Sequence, residues 1–105
     1  MKNFLFYYVI LYIMSKILSF IEKAGSSDIL ISLFKNKGKM YITELKKVIG
    51  KGSISTLNTR LIELKNLELI KDEHESKFGG RRYIWLTDKG KKISMHLLEI
   101  EKILK

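Results

Sequence analysis

The stretch Gly79-Gly-Arg-Arg-Tyr-Ile-Trp-Leu-Thr-Asp-Lys-Gly90, GGRRYIWLTDKG, changes its periodicity midway. Arg82-Tyr83-Ile84-Trp85-Leu86 is rich in β-branched and aromatic residues, which predicts an extended strand. Thr87 then opens a segment in which Ile93, Leu97, Ile100 and Leu104 recur at spacings of three and four, the stripe of an amphipathic helix. Leu98 and Ile103 widen that stripe beyond what a minimal core requires. Upstream, Leu69-Ile70-Lys71-Asp72-Glu73-His74 is a second extended segment, and the two runs pair most simply as an antiparallel hairpin. Its loop, Ser76-Lys77-Phe78-Gly79-Gly80, is shouldered by Lys77, Arg81 and Arg82. Either this is a solvated charged turn or it presents cations to a polyanion.

Moving toward the N-terminus, Ser53 is a good helix cap, and Ile54, Leu57, Leu61 and Leu64 define one buried stripe behind it. The outward arc of that helix holds Ser55 and Thr59, flanked by Thr56, Asn58, Arg60 and Glu63. Before it, Thr43 opens a two-turn helix, Glu44-Leu45-Lys46-Lys47-Val48-Ile49, closed by Gly50 and Gly52. Ser27-Asp28 caps another short helix, Ile29 to Phe34, ended by Lys37-Gly38. Between them Met40-Tyr41-Ile42 is too brief to read as more than a single β-bridge.

At 105 residues the chain holds one hydrophobic core, so any function lies on its surface or at an interface between copies. It has no cysteine, which excludes disulfides and thiolate metal sites and leaves a reducing cytoplasm as the default. The net charge is +9 and is unevenly placed: residues 35–60 carry +6 and residues 77–92 carry +5, with −3 between them. Such asymmetry is what a one-sided face for a polyanion looks like.

Residues 4–13, FLFYYVILYI, are apolar on all sides, but the run is about half the length a spanning helix needs. Extending it to Ile21 includes Ser15, Lys16 and Ser19, and a mid-membrane lysine costs on the order of 3 kcal/mol. Membrane attachment through residues 4–21 is therefore the lesser alternative. A cleaved leader ending near Ala24-Gly25-Ser26 is weaker still, because Glu22 and Lys23 precede that site. From Met14 the pattern becomes amphipathic, and Met14-Ser-Lys is a plausible translational start. We expect one long N-terminal helix.

Catalytic chemistry finds little support. His74 and His96 lie in separate elements without metal-ligand spacing, so no metal is expected. Gly50-Lys51-Gly52-Ser53 looks like the tail of a phosphate loop but lacks the buried strand such a loop follows. No cofactor and no enzyme activity are expected.

The run from Ser53 to Ile70, SISTLNTRLIELKNLELI, followed by Gly79 to Gly90, resembles winged helix-turn-helix transcription regulators of the MarR, PadR and HxlR type. Within that resemblance, Ser55 to Leu64 is the recognition helix, Leu69-Ile70 begins the first wing strand, and Leu86-Thr87-Asp88-Lys89-Gly90 matches the LTxxG that closes the wing. It covers roughly residues 27–92, with one departure: Glu68 stands where the family usually has a glycine. The implied fold is mainly α with a small antiparallel β-hairpin, a winged helix-turn-helix with added terminal helices. Residues 1–26 would then form a hydrophobic to amphipathic helix that is either a dimerisation element or an upstream extension of the reading frame, residues 27–92 the DNA-binding domain, and residues 93–105 a dimerisation helix.

The resemblance implies double-stranded DNA as partner, a homodimer, and a cytoplasmic, nucleoid-associated location. Ser55, Thr56, Asn58 and Thr59 would meet base edges or flanking phosphates, with Asn58 suited to adenine and Arg60 to guanine or phosphate. Lys35, Lys37, Lys39, Lys46, Lys47 and Lys51 would contact the backbone, while Lys77, Arg81 and Arg82 on the wing would suit a narrow minor groove. RNA is the weaker partner, because no exposed aromatic stacking platform is evident. The rival from another class is a winged-helix protein-interaction module, with membrane attachment through its N-terminal segment as one form of it.

Overall fold

The computed structural model describes residues 4–12, 19, 23, 25–50, 52–76 and 79–105. Residues 4–12 are helical (α1), followed by α2 (Ser26–Asn36), β1 (Met40–Tyr41), α3 (Ile42–Ile49), α4 (Ile54–Asn66), β2 (Ile70–Ser76), β3 (Gly79–Leu86) and α5 (Asp88–Leu104). The strands form one antiparallel sheet in the order β1-β3-β2. This is a winged helix-turn-helix, as the resemblance implied, with one strand more than the hairpin. Met40 pairs with Ile84 and Tyr41 with Tyr83. The segment too brief to read from sequence becomes a strand because Met40 is buried in the core while Tyr41 meets the Tyr83 ring edge-on at 6.2 Å.

The core gathers Ile29, Leu30 and Leu33 from α2, Leu45 from α3, the Leu57, Leu61 and Leu64 stripe of α4, and Ile70, Ile84 and Leu86 from the sheet. Ile54, expected to lead the α4 stripe, is 54% exposed, because it is the first helical residue and stands before the helix reaches the core. On α5, Ile93 and Leu97 pack against this cluster. Ile100 is exposed, and Ile103 and Leu104 are each 81% exposed, so the apolar stripe outruns the core of its own chain.

Helix boundaries moved where backbone geometry overrode side-chain caps. α2 starts at Ser26 behind Gly25, whose φ of 92° favours glycine, rather than behind Ser27-Asp28. α3 begins at Ile42, directly after β1, rather than at Thr43. Ser53 does cap α4, its Oγ accepting from the Thr56 N–H at 3.1 Å.

The joint between α4, the wing and α5 explains the Leu86-to-Gly90 motif. The Thr87 hydroxyl donates to the Glu68 carbonyl at 2.7 Å and accepts from the Gly90 N–H at 3.0 Å, capping α5. The Thr87 N–H donates to the Leu69 carbonyl at 3.1 Å. A Cβ on Gly90 would lie 2.0 Å from that same carbonyl oxygen, so only glycine admits the approach. Glu68 occupies the left-handed region at φ 63°, and its N–H and that of Leu69 return to the carbonyls of Lys65 and Leu64. The turn expected of glycine is thus made here with a glutamate.

Candidate nucleic-acid interface

α3 and α4 are joined by a turn with glycine at φ 68° (Gly50) and φ 84° (Gly52), and the Gly50 N–H closes α3 on the Lys46 carbonyl at 2.9 Å. Lys46 and Lys47 are exposed in the last turn of α3, where cations also favour the helix dipole. Lys51, in the turn, lies outside the described residues.

On α4, Ser55, Thr56 and Thr59 are exposed and Asn58 is half-buried. Thr56 accepts from the Ser53 hydroxyl at 3.0 Å, and Thr59 donates its own hydroxyl to the Ser55 carbonyl at 3.0 Å. The Asn58 amide has no hydrogen-bond partner among the described residues, so its donor and acceptor remain available together. Arg60 does not stand free: its Nη1 donates to both Glu63 oxygens, at 3.0 and 3.1 Å. Glu63 also accepts from Lys23 at 3.0 Å, and this bond, then Arg60, outweighs partial desolvation to hold its carboxyl below the usual range. Ile62 was missed by the sequence reading. It lies seven residues beyond Ser55 on the same face and is 56% exposed, and the spacing alone was the signal.

The wing divides its two arginines between faces. Arg81 is exposed, with its guanidinium carbon 5.0 Å from the Tyr41 ring centre. Arg82 points to the opposite face, where its Nε donates to Asp72 Oδ2 at 2.6 Å, and Lys65 pairs with the other carboxylate oxygen at 2.7 Å. Burial raises the Asp72 carboxyl, but these two cations outweigh it and leave the group below its ordinary value. Gly80 has φ 90° beside the register shift between His74 and Ser76, so the strands run closer to the tip than expected. Lys77 at the tip lies outside the described residues.

One expectation is corrected by the outer sheet face. Tyr41, Tyr83 and Trp85 form a half-exposed aromatic row, with the Tyr83 and Trp85 ring centres 5.9 Å apart. The Lys39 ammonium sits 4.7 Å from the Tyr83 ring centre and 4.9 Å from that of Trp85. The row became visible only when β1 joined β3 and brought Tyr41 and Lys39 alongside alternate residues of the wing. Glu73 and Glu75 face it too, accepting from the Tyr83 and Tyr41 hydroxyls at 3.3 Å.

α1 exposes every residue from Phe4 to Tyr12. Among the described residues, no helix is long and apolar enough to cross a membrane. Most of the amphipathic stretch from Met14 to Ala24 lies outside the described residues.

A family model for the HxlR-like helix-turn-helix matches residues 21–105. A search of curated proteins gives no match. Among solved structures, a putative MarR-family transcriptional regulator from Porphyromonas gingivalis W83 aligns with a TM-score of 0.74 at 25% identity, over 85% of each chain. The reduced form of the transcriptional regulator YodB from B. subtilis aligns with a TM-score of 0.71 at 22% identity, again over 85% of each chain. A PadR-family transcription regulator from Clostridium difficile R20291 gives 0.63 at 25% identity, over 76% of this chain and 91% of that one.

Proposed function

Because the chain belongs to the HxlR-like helix-turn-helix family of transcriptional regulators, we propose that it binds double-stranded DNA sequence-specifically as a non-enzymatic, cytoplasmic, nucleoid-associated regulator. α4 enters the major groove, and the basic wing lies on the minor groove or backbone. The observation that carries this reading is the exposed arc of α4, where Ser55, Thr56 and Thr59 stand beside an Asn58 amide with donor and acceptor both available. An asparagine of that kind matches the N6 and N7 edge of adenine, and the neighbouring Ile62 matches a thymine methyl group.

Lys46 and Lys47 at the end of α3, with Lys51 in the turn, supply backbone contacts, as do Lys77 and Arg81 on the wing. Arg60 and Arg82 reach DNA only by exchanging Glu63 and Asp72 for phosphate or base, so they are second in rank to Arg81. The active unit is a homodimer built through residues 4–24 and 93–104, because the apolar surfaces of α1 and the end of α5 are uncovered in one chain.

The deciding experiment selects bound fragments from random duplex DNA and compares the enriched sequences for the wild type and Asn58→Ala. Loss of preference at one base pair, worth about 1–3 kcal/mol, is expected for the variant. Identical enriched sequences would remove Asn58 from the readout, and failure to enrich any sequence would remove the specific-regulator reading. The exposed apolar α1 also keeps a membrane-held interaction module in play. Recovery in the membrane fraction of cells, together with no shift of random duplex, would favour that module.

A further inference from the structure

A cavity of about 400 Å³ opens between the end of α2, the base of β3 and the start of α5. Leu33, Phe34, Trp85 and Leu86 line it together with Lys37, Lys39 and Lys91, whose side chains are exposed. No carboxylate lines it, and none pairs with these three lysines among the described residues. A broader groove shares Trp85, Leu86 and Lys91 with it but differs in its acids, since Glu68, Asp72 and Asp88 line that groove. The cavity therefore combines an apolar and aromatic lining with three cations that have no ion-pair partner among the described residues, one of them held against the Trp85 and Tyr83 rings.

We propose that this cavity is a binding site for a small molecule joining a flat aromatic ring to a phosphate-like dianion, the chemistry shared by nucleoside monophosphates and aryl phosphates. The ring lies against Phe34 and Trp85, where aromatic contact adds to area burial. The dianion meets Lys37, Lys39 and Lys91, because lysine binds phosphate as a point charge and two negative charges make better use of three ammonium groups than one would. The volume falls within the range typical of small-ligand sites. None of the three lysines lies on α4, and Lys91, unlike Lys37 and Lys39, is not among the expected backbone contacts, so the site can be tested apart from the DNA reading.

The test is calorimetric titration of the full chain with adenosine monophosphate and with phenyl phosphate, reading the emission of Trp85, the single tryptophan, in parallel. Saturable binding of at least one is expected, with a change in Trp85 emission. Adenosine, which lacks the dianion, and inorganic phosphate, which lacks the ring, should each bind at least tenfold more weakly. Lys39→Gln and Lys91→Gln alter exposed side chains and leave the core intact; each should weaken binding about five- to tenfold. A preference for one probe over the other identifies the source of the ring.

Failure of both probes to bind would overturn the proposal. So would equal binding of adenosine or of inorganic phosphate, or unchanged affinity in both lysine variants. A gel shift with random duplex on Lys91→Gln, which is not among the expected DNA contacts, separates this outcome from that for DNA: retained duplex binding with weakened probe binding supports the site, and loss of both in equal measure overturns it.

Discussion

Gly90 and Glu68 show how a motif can be legible while its mechanics are not. The Leu-Thr-x-x-Gly pattern marks the end of the wing, but nothing in the sequence says that Gly90 lies against the Leu69 carbonyl oxygen. That contact spans twenty-one positions of chain and exists only once the hairpin has closed. Gly90→Ala should lower stability by about 1–3 kcal/mol, because the obstacle is backbone and cannot swing aside. Denaturant unfolding monitored by circular dichroism measures it, and an unchanged midpoint would refute the contact. Glu68 is the opposite case, legible in the sequence as a departure. Its left-handed φ costs about 1–2 kcal/mol for a residue with a Cβ, partly offset in glycine by unfolded-chain entropy. Glu68→Gly should therefore stabilise the fold by about 0.5–1 kcal/mol in the same assay.

Among the elements, α4 was the most legible, because the Leu57, Leu61 and Leu64 period and the Ser53 cap are both local signals. The sheet was the least, since β1 is two residues long and exists through its pairing with β3. For the same reason the sequence could not separate Arg81 from Arg82: alternation puts them on opposite faces, but only the register places Asp72 within reach of the second. Arg81→Ala should weaken binding to most duplex sequences several-fold at unchanged thermal stability. Arg82→Ala should instead lower stability, and lose DNA affinity only as far as the wing loosens. Thermal melts alongside gel shifts distinguish the two. Asp72 also gives the wing an acid dependence. Its folded carboxyl lies below the ordinary value, so its ion pairs stabilise the fold above the normal carboxylate range and are lost as pH falls through the lowered folded value. Asp72→Asn should cost about 1 kcal/mol near neutrality and flatten the stability profile below about pH 4.

For the whole molecule, two basic blocks that together carry more than the net charge of +9 were readable from the start, as was more apolar helix than one small core can hide. What could not be read was where the core stops along α5, which depends on the length of α2 beside it. Ile103→Lys with Leu104→Lys changes side chains that are exposed in the single chain, so the fold should persist while sedimentation shifts from dimer toward monomer. A monomeric wild type at micromolar concentration would count against the assembly. Duplex binding should also weaken steeply with salt, with a slope of roughly −5 per protomer if about six phosphates are neutralised. The joint at Thr87 bears on both properties. With its hydroxyl on the Glu68 carbonyl, its N–H on Leu69 and Gly90 packed beneath, the exit of α4 and the entry of α5 turn as one rigid bracket. In a pair of chains clasped along α5, the crossing angle of those two helices is then a ruler. A few degrees of change at the clasp would alter the separation of the two α4 helices, and with it the operator spacing that both halves can occupy at once.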